Sequence, residues 1–435
     1  MLAPARTVNE LGIPAVIATD LVYRLLFAEG DVSIKRFAQV LRVHAQVLDE
    51  ILSRMQLEHL VEVVGTGSLG RLSYTYRLTD EGTMRARDAM ERSQYIGPVP
   101  VSVEAYQEAI LEQTGTTQRV TAGEVKGAIQ HLILPDDFHR SIGPALNSGA
   151  SLFLYGPPGN GKTTVAQAIG ELMAGIDPLW LPAAITAGGQ LIQIYDPLIH
   201  IPVPMEAIGY GSDGASVGGN GANGSSGISK SVDQRWSCFQ RPVVMAGGEL
   251  TMDSLELRYD SITKFYEAPL QLKANGGMFL IDDFGRQQVS PQALLNRWIV
   301  PLESKIDFLR LQSGQTIEIP FRQLIVFSTN LDPKDLVDDA FLRRIQIKVQ
   351  MEGPDDRMYY RLFDIMCRQF NIQFEKESFL HLLNKWYREP GRKMQAVHPR
   401  DILKIVAAIC DYEGIMPHLT TALIDEACRN YFVDM

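Results

Sequence analysis

Cysteine is scarce in this chain: Cys238, Cys367, Cys410 and Cys428 are the only four among 435 residues. None forms a C-x-x-C pair, so the spacing supports neither a zinc ribbon nor a disulfide framework. Four scattered thiols read as small buried apolar residues of a reducing compartment. No apolar stretch reaches the roughly 18 residues of a membrane-spanning helix, and the first residues lack a basic segment followed by an apolar core and a cleavage site. The expectation is a cytoplasmic protein with no membrane span. Positive charge is also in deficit, 41 Lys and Arg against 51 Asp and Glu, for a net charge of −10. That balance argues against bulk nucleic-acid binding and leaves only a local basic patch to serve such a role. What is present is an ordinary globular mixture, 46% hydrophobic and 21% charged, long enough for about three domains.

The most informative stretch is Gly156-Pro157-Pro158-Gly159-Asn160-Gly161-Lys162-Thr163, a full G-x-x-x-x-G-K-[ST] match. The apolar run 151–155 before it reads as a buried parallel strand, and Thr164 to Met173 follows at helical spacing. Strand, loop and helix are the setting in which this motif cradles phosphates. Its glycines let successive N–H groups face a polyphosphate, and the following helix directs its positive end there. The expectation is a nucleoside triphosphate held by residues 156–164, with Lys162 on the β and γ phosphates and the Thr163 hydroxyl on Mg²⁺.

Further along, Gly277 to Ile281 is an apolar strand ending in Asp282 and Asp283. Beside a phosphate loop, Asp282 is expected to hold the Mg²⁺ shell and Asp283 to orient or deprotonate an attacking water. A second buried run, Gln323 to Thr329, ends in Asn330, whose amide can hydrogen-bond both a γ-phosphate and that water. The segment Asp338-Asp339-Ala340-Phe341-Leu342-Arg343-Arg344 puts two guanidinium groups at a helix end. They read either as a solvated terminus or as an arginine finger toward a neighbouring subunit.

Upstream, helical spacing over 13–28, a helix capped by Ser33 and running to Leu41, and another over 45–55 precede two strands, 60–64 and 72–78. A Gly-rich turn joins the strands, and Thr79 to Gly82 opens a closing helix. This order resembles a winged-helix domain over residues 14–95. The third helix carries Asp49 and Glu50 with only Arg54 as a cation. Lys35, Arg36 and Arg71 are the other phosphate candidates, so protein docking is favoured over DNA binding. Gly97 to Pro100 marks a linker, taken as 96–130, with one connecting helix over Val103 to Glu112 and a polar run from Gln113 to Arg119. The apolar segment His131 to Pro135 reads either as closing over a base or as the entry to a core strand. Residues 181–186 and 191–195 suggest a strand pair across Gly188-Gly189. Gly209 to Ser231 is almost wholly small and polar and is expected to stay unpacked, as a surface insertion or a channel-facing element.

Taken together, Gly156–Thr163, Phe279–Asp283, Ser328–Asn330, Leu342–Arg344 and His398-Pro399-Arg400-Asp401-Ile402 resemble the AAA+ ATPases over residues 131–435. The resemblance implies an α/β fold: a doubly wound parallel sheet over 131–353, followed by a C-terminal α-helical lid over 354–435. It also implies ATP with Mg²⁺ at a subunit interface, a homo-oligomer, usually a hexameric ring, and Arg400 reaching the γ-phosphate of its own chain. A β-hairpin read from Ile306 to Ile319 is similar to one in the MoxR-type chaperones and the sigma-factor activators. It reads equally as a structural turn, and the activators' substrate-contact signature is absent. Asp283 stands where Glu is usual; the replication-initiator branch also has Asp-Asp there, which implies slow hydrolysis. The function implied is remodelling or assembly of a protein partner, with an ATP-gated DNA-binding regulator as the alternative.

Overall fold

The computed structural model describes residues 3–66, 70–115, 119–135, 137–204, 232–336 and 342–432. Three expected features fall outside the described residues: the Gly/Ser-rich stretch 209–231, Asp338 to Phe341 of the arginine motif, and the tip 67–69 of the N-terminal turn.

Five short apolar runs build the central sheet: β1 (Leu152–Tyr155), β2 (Val243–Ala246), β3 (Met278–Ile281), β4 (Leu324–Thr329) and β5 (Ile347–Gln350). Their spatial order is β2-β3-β4-β1-β5, and every pairing is parallel. Such strands are apolar along most of their length because both faces are covered. Leu152, Leu154, Met278, Leu280 and Val326 face one layer, against Ile142 of the helix Phe138–Ser148 and Val165 and Ile169 of the helix Lys162–Ala174. Phe153, Phe279, Ile281, Ile325 and Phe327 face the other, against Leu294 and Trp298 of the helix Pro291–Ser304. Side chains alternate between the two layers with the strand period of two. The chain is thus an α/β protein on a doubly wound parallel sheet.

Residues 96–130, expected as a linker, are not one throughout. The expected connecting helix is present as Val103–Gly115, but Val101–Ser102 before it forms a strand. The strand pairs in parallel with Ala184–Ala187, at Val101↔Ile185. It joins a second five-stranded sheet that continues through Gln190–Gln193, Phe265–Glu267 and Arg258–Asp260. Tyr106 and Ile110 of the helix share a core with Trp236, Ile192 and Ile317. Pro98 and Pro100 break the chain, but the apolar residues after them have somewhere to be buried. The pair expected across Gly188-Gly189 forms between Ala184–Ala187 and Gln190–Gln193, with both glycines at positive φ (+57 and +76), where only glycine sits without strain. Leu179–Pro182 instead pairs antiparallel with Trp236–Phe239. The hairpin Ile306–Arg310 with Thr316–Pro320 lies immediately before β4.

The N-terminal unit contains helices Ala15–Glu29, Ile34–Leu41, Ala45–Leu57 and Asp80–Arg92 around a small sheet of Val32–Ser33, Thr75–Leu78 and Val61–Gly65. Ser33 and Thr79 cap two of these helices by accepting from the N–H of Arg36 and Gly82, satisfying otherwise orphaned donors. The later strand is shorter than expected, because residues 70–73 form a 3₁₀ turn. At the other end, helices Asp356–Gln369, Lys376–His381, His398–Glu413 and Thr421–Tyr431 enclose a separate core of Tyr359, Phe363, Phe379, Ile402 and Ile424. All four cysteines are buried and free. Among the described residues no helix is long and apolar enough to cross a membrane.

Trp298 is fully buried, with its ring centroid 5.5 Å from Phe279 and 5.9 Å from Phe321. Trp298→Ala is expected to lower stability by about 3–5 kcal/mol, read as a fall in the urea midpoint at unchanged slope.

Candidate active site

The loop between β1 and the helix Lys162–Ala174 is curled by three glycines at positive φ: Gly156 (+137), Gly159 (+73) and Gly161 (+81). A Cβ on Gly156 would fall 2.3 Å from the carbonyl oxygen of Met351, and one on Gly159 would fall 2.7 Å from Val397. Gly156 and Gly159 are therefore demanded both by conformation and by the chain packed behind them, and Gly161 by conformation. Lys162, buried at the start of the helix, donates from Nζ to the carbonyls of Gly156 and Pro157, both at 2.8 Å. Burial pushes its ammonium below the usual lysine range, while the charges of Asp283 and Asp282 pull it back up.

β4 lies between β1 and β3, so the carboxyl ends of all three reach the same edge. There the Thr163 hydroxyl donates to Asp282 at 2.8 Å, and the Asp283 N–H donates to the other oxygen of Asp282 at 3.1 Å. Asp283 sits at φ +50, a region that Asp tolerates better than most residues, and the resulting turn leaves its carboxylate exposed. The Asn330 amide donates to that carboxylate at 3.2 Å.

Across from these groups stands the C-terminal helical unit. The N–H of Val397 donates to Gly159 O at 2.9 Å, and that of Ala396 to Asn160 Oδ1 at 3.2 Å. Together the two sides enclose a cavity of about 380 Å³. Pro158, Gly159, Gly161, Lys162, Thr163 and Thr164 line it with Asp282, Asp283, Ser328 and Asn330, facing Leu362, Met366, Ala396, Val397 and Arg400. Gly156 and Pro157 lie behind, holding Lys162, and Asn160 is the tie to the helical unit. Arg400 donates to Asp401 at 2.9 Å, and Asp401 also accepts from Tyr431.

Arg343 and Arg344 do not line this cavity. They lie at a separate cleft with Leu302, Glu303 and Gln346. Arg344 is paired with Glu303 at 2.6 Å, whereas Arg343 is exposed and has no ion pair among the described residues. The segment His131–Pro135 also stays outside the cavity, with Leu132 and Leu134 against the core beside β1. Sequence reasoning missed Leu362 and Met366. The signal was their spacing: Tyr359, Phe363 and Cys367 fill the helix's buried stripe, while Leu362 and Met366 form a second apolar pair beside it.

A buried relay supports the helix that carries Arg400. Tyr359 and Tyr387 share a hydrogen bond at 2.6 Å, and the Tyr387 hydroxyl lies 2.9 Å from His398 Nδ1. Burial, aided by the charge of Arg392, pushes His398 down to about 4.

A family described as a domain of unknown function (DUF8689) matches residues 355–430, the helical unit facing the cavity. No curated protein matches the chain. Among solved structures, the chain is similar to NtrX from Brucella abortus at 12% identity and a TM-score of 0.39, covering 76% of this chain and 60% of that one. It is similar also to a mutant of RuvB from Thermotoga maritima at 12% identity and a TM-score of 0.36, covering 72% of each chain.

Because the native state holds His398 neutral, the unfolded chain binds more protons than the native one between about pH 6.5 and 4, so stability falls as pH falls through that window. His398→Phe is expected to flatten this part of the urea-midpoint profile while leaving the profile above pH 7 parallel to that of the wild type.

Proposed function

We propose that this chain is an AAA+ ATPase that couples binding and hydrolysis of ATP, with Mg²⁺, to remodelling or assembly of a protein partner, acting in the cytoplasm as a homo-oligomeric, hexameric ring. The observation that carries the reading is the convergence of the phosphate loop, Asp282, Asp283, Asn330 and Arg400 on one cavity between a parallel sheet and a helical lid.

The residues fit the group. The glycine cradle has no room for side chains behind Gly156 and Gly159, and Lys162 is held by loop carbonyls that a phosphate can replace. Thr163 and Asp282 present adjoining oxygens, a hard donor set suited to Mg²⁺. ATP supplies the phosphoryl bond to be broken. The chain's own part is positioning and charge. Lys162 and Arg400 stabilise negative charge from opposite walls, and Asp283 orients a water and takes its proton. Asn330, hydrogen-bonded to Asp283, fixes where that carboxylate points. Arg343, exposed and unpaired among the described residues, is the better finger for a neighbouring subunit than Arg344, whose partner is Glu303. The hairpin before β4 supports the MoxR-type branch.

The domain assignment that fits is a winged-helix-like unit over 14–95, a core over 131–353 and a lid over 354–435, with Val101–Gly115 joining the sheet module beside the core. The charges of the N-terminal unit support docking to protein. Arg71 is paired with Asp49 at 2.9 Å, Arg36 with Glu29 at 2.6 Å and Arg77 with Asp31 at 2.6 Å. A phosphate backbone would have to compete with these carboxylates.

Two expected outcomes test the reading. Asp283→Asn should keep ATP affinity while slowing turnover and retaining the protein partner on the ring; an unchanged turnover removes Asp283 from the chemistry. Arg343→Ala should cost about 10³-fold or more in turnover. Mixing it with Lys162→Ala should restore activity in rings shown to be mixed, and failure to restore would count against action between subunits.

A further inference from the structure

The edge of the central sheet opposite the candidate active site holds a second cavity, about 350 Å³ in volume. It lies where β3 and β4 begin, at Gly277 and Leu324, beside the carboxyl ends of the helices Phe138–Ser148 and Val103–Gly115. Four cations line it: Arg119, Arg241, Lys305 and Arg322. Among the described residues no Asp or Glu side chain lines it, although the chain as a whole carries a net charge of −10.

The two inner cations each donate to backbone carbonyls. Arg241, 4% exposed, donates to the carbonyls of Asp177 and Gly276, and Lys305 donates to Gly149 O at 3.2 Å. Helix carboxyl ends attract cations, which accounts for Lys305 beside Gly149. It does not account for Arg119 and Arg322, which are exposed and have no side-chain hydrogen bond or ion pair among the described residues. Burial pushes Lys305 below the usual lysine range, and the charge of Arg322 pushes it further in the same direction. Lys305 and Arg322 repel one another, whereas the Asp177 carboxylate offsets part of the charge of Arg241.

We propose that this cavity is a binding site for a small organic phosphate, separate from the ATP site. Guanidinium groups match phosphate oxygens in geometry and charge. Phe321 and Leu111 contribute apolar lining for the uncharged part of the ligand. The volume is in the range of small-molecule sites. The site takes its cations from segments scattered between residues 119 and 322, so only the folded chain assembles it. Its occupant rests on the amino ends of the two strands whose carboxyl ends carry Asp282, Asp283 and Asn330.

The test is calorimetric titration of the full chain with inorganic pyrophosphate in the Lys162→Ala background, which disables the phosphate loop. The expected result is binding at one site per chain, weakened by about tenfold or more on adding Arg119→Gln and Arg322→Gln. Both arginines are exposed, so these changes should leave the urea midpoint in place; Arg322→Glu alone provides a second variant with the same expected direction. Arg258→Gln with Arg368→Gln, exposed arginines elsewhere, should leave the affinity unchanged. Absence of pyrophosphate binding in Lys162→Ala overturns the proposal, as does affinity insensitive to Arg119 and Arg322. Equal weakening by the control pair would reduce it to a general charge effect and also overturn it. None of these outcomes bears on ATP hydrolysis, so the two readings fail separately.

Discussion

Parallel alignment of β1, β3 and β4 is the constraint on which everything else rests. Each strand alone is a short apolar run of no special chemistry. Held in register, Leu154 beside Ser328 and Leu280 beside Val326, they bring a phosphate loop, an acidic pair and an amide to one edge. The alignment requires apolar cover on both faces, which the two helical layers supply. It also accounts for where the polar groups sit: the carboxyl ends are the places along these strands where a side chain escapes the core. In open α/β sheets this edge is where ligands bind.

The opposite wall of the cavity is a helical unit with its own core, joined to the loop by hydrogen bonds donated by the N–H groups of Ala396 and Val397. Arg400 stands on this helical wall and Lys162 on the sheet wall, so the two cations reach one cavity from different elements.

Much of this was legible in the sequence, for a physical reason. The phosphate loop, Asp282, Asp283 and Asn330 each sit at the end of a contiguous apolar run, so local pattern carries their place. The order of elements in the N-terminal unit was legible because capping residues such as Ser33 and Thr79 announce helix starts. Assembly at long range was not legible. Val101 pairs with Ile185, and Tyr106 shares a core with Ile317, contacts that no local period encodes; Pro98 and Pro100 suggested a linker instead. Leu362 and Met366 fell within the expected lid and were not singled out. The cation-lined cavity was hidden for the same reason, since Arg119, Arg241, Lys305 and Arg322 are neighbours only after folding. Arg343 and Arg344 were read as a pair, and the structure distinguishes them through Glu303.

The central claim is that the cavity at the carboxyl edge hydrolyses ATP and is completed by a second subunit. Phosphate release from ATP, measured per chain across a wide range of protein concentration, tests it most directly. The account predicts a specific activity that rises as the chain assembles and is absent from Lys162→Ala at every concentration. A wild-type rate that never exceeds that of Lys162→Ala contradicts the hydrolytic site, and a specific activity independent of concentration through the assembly transition contradicts the shared one.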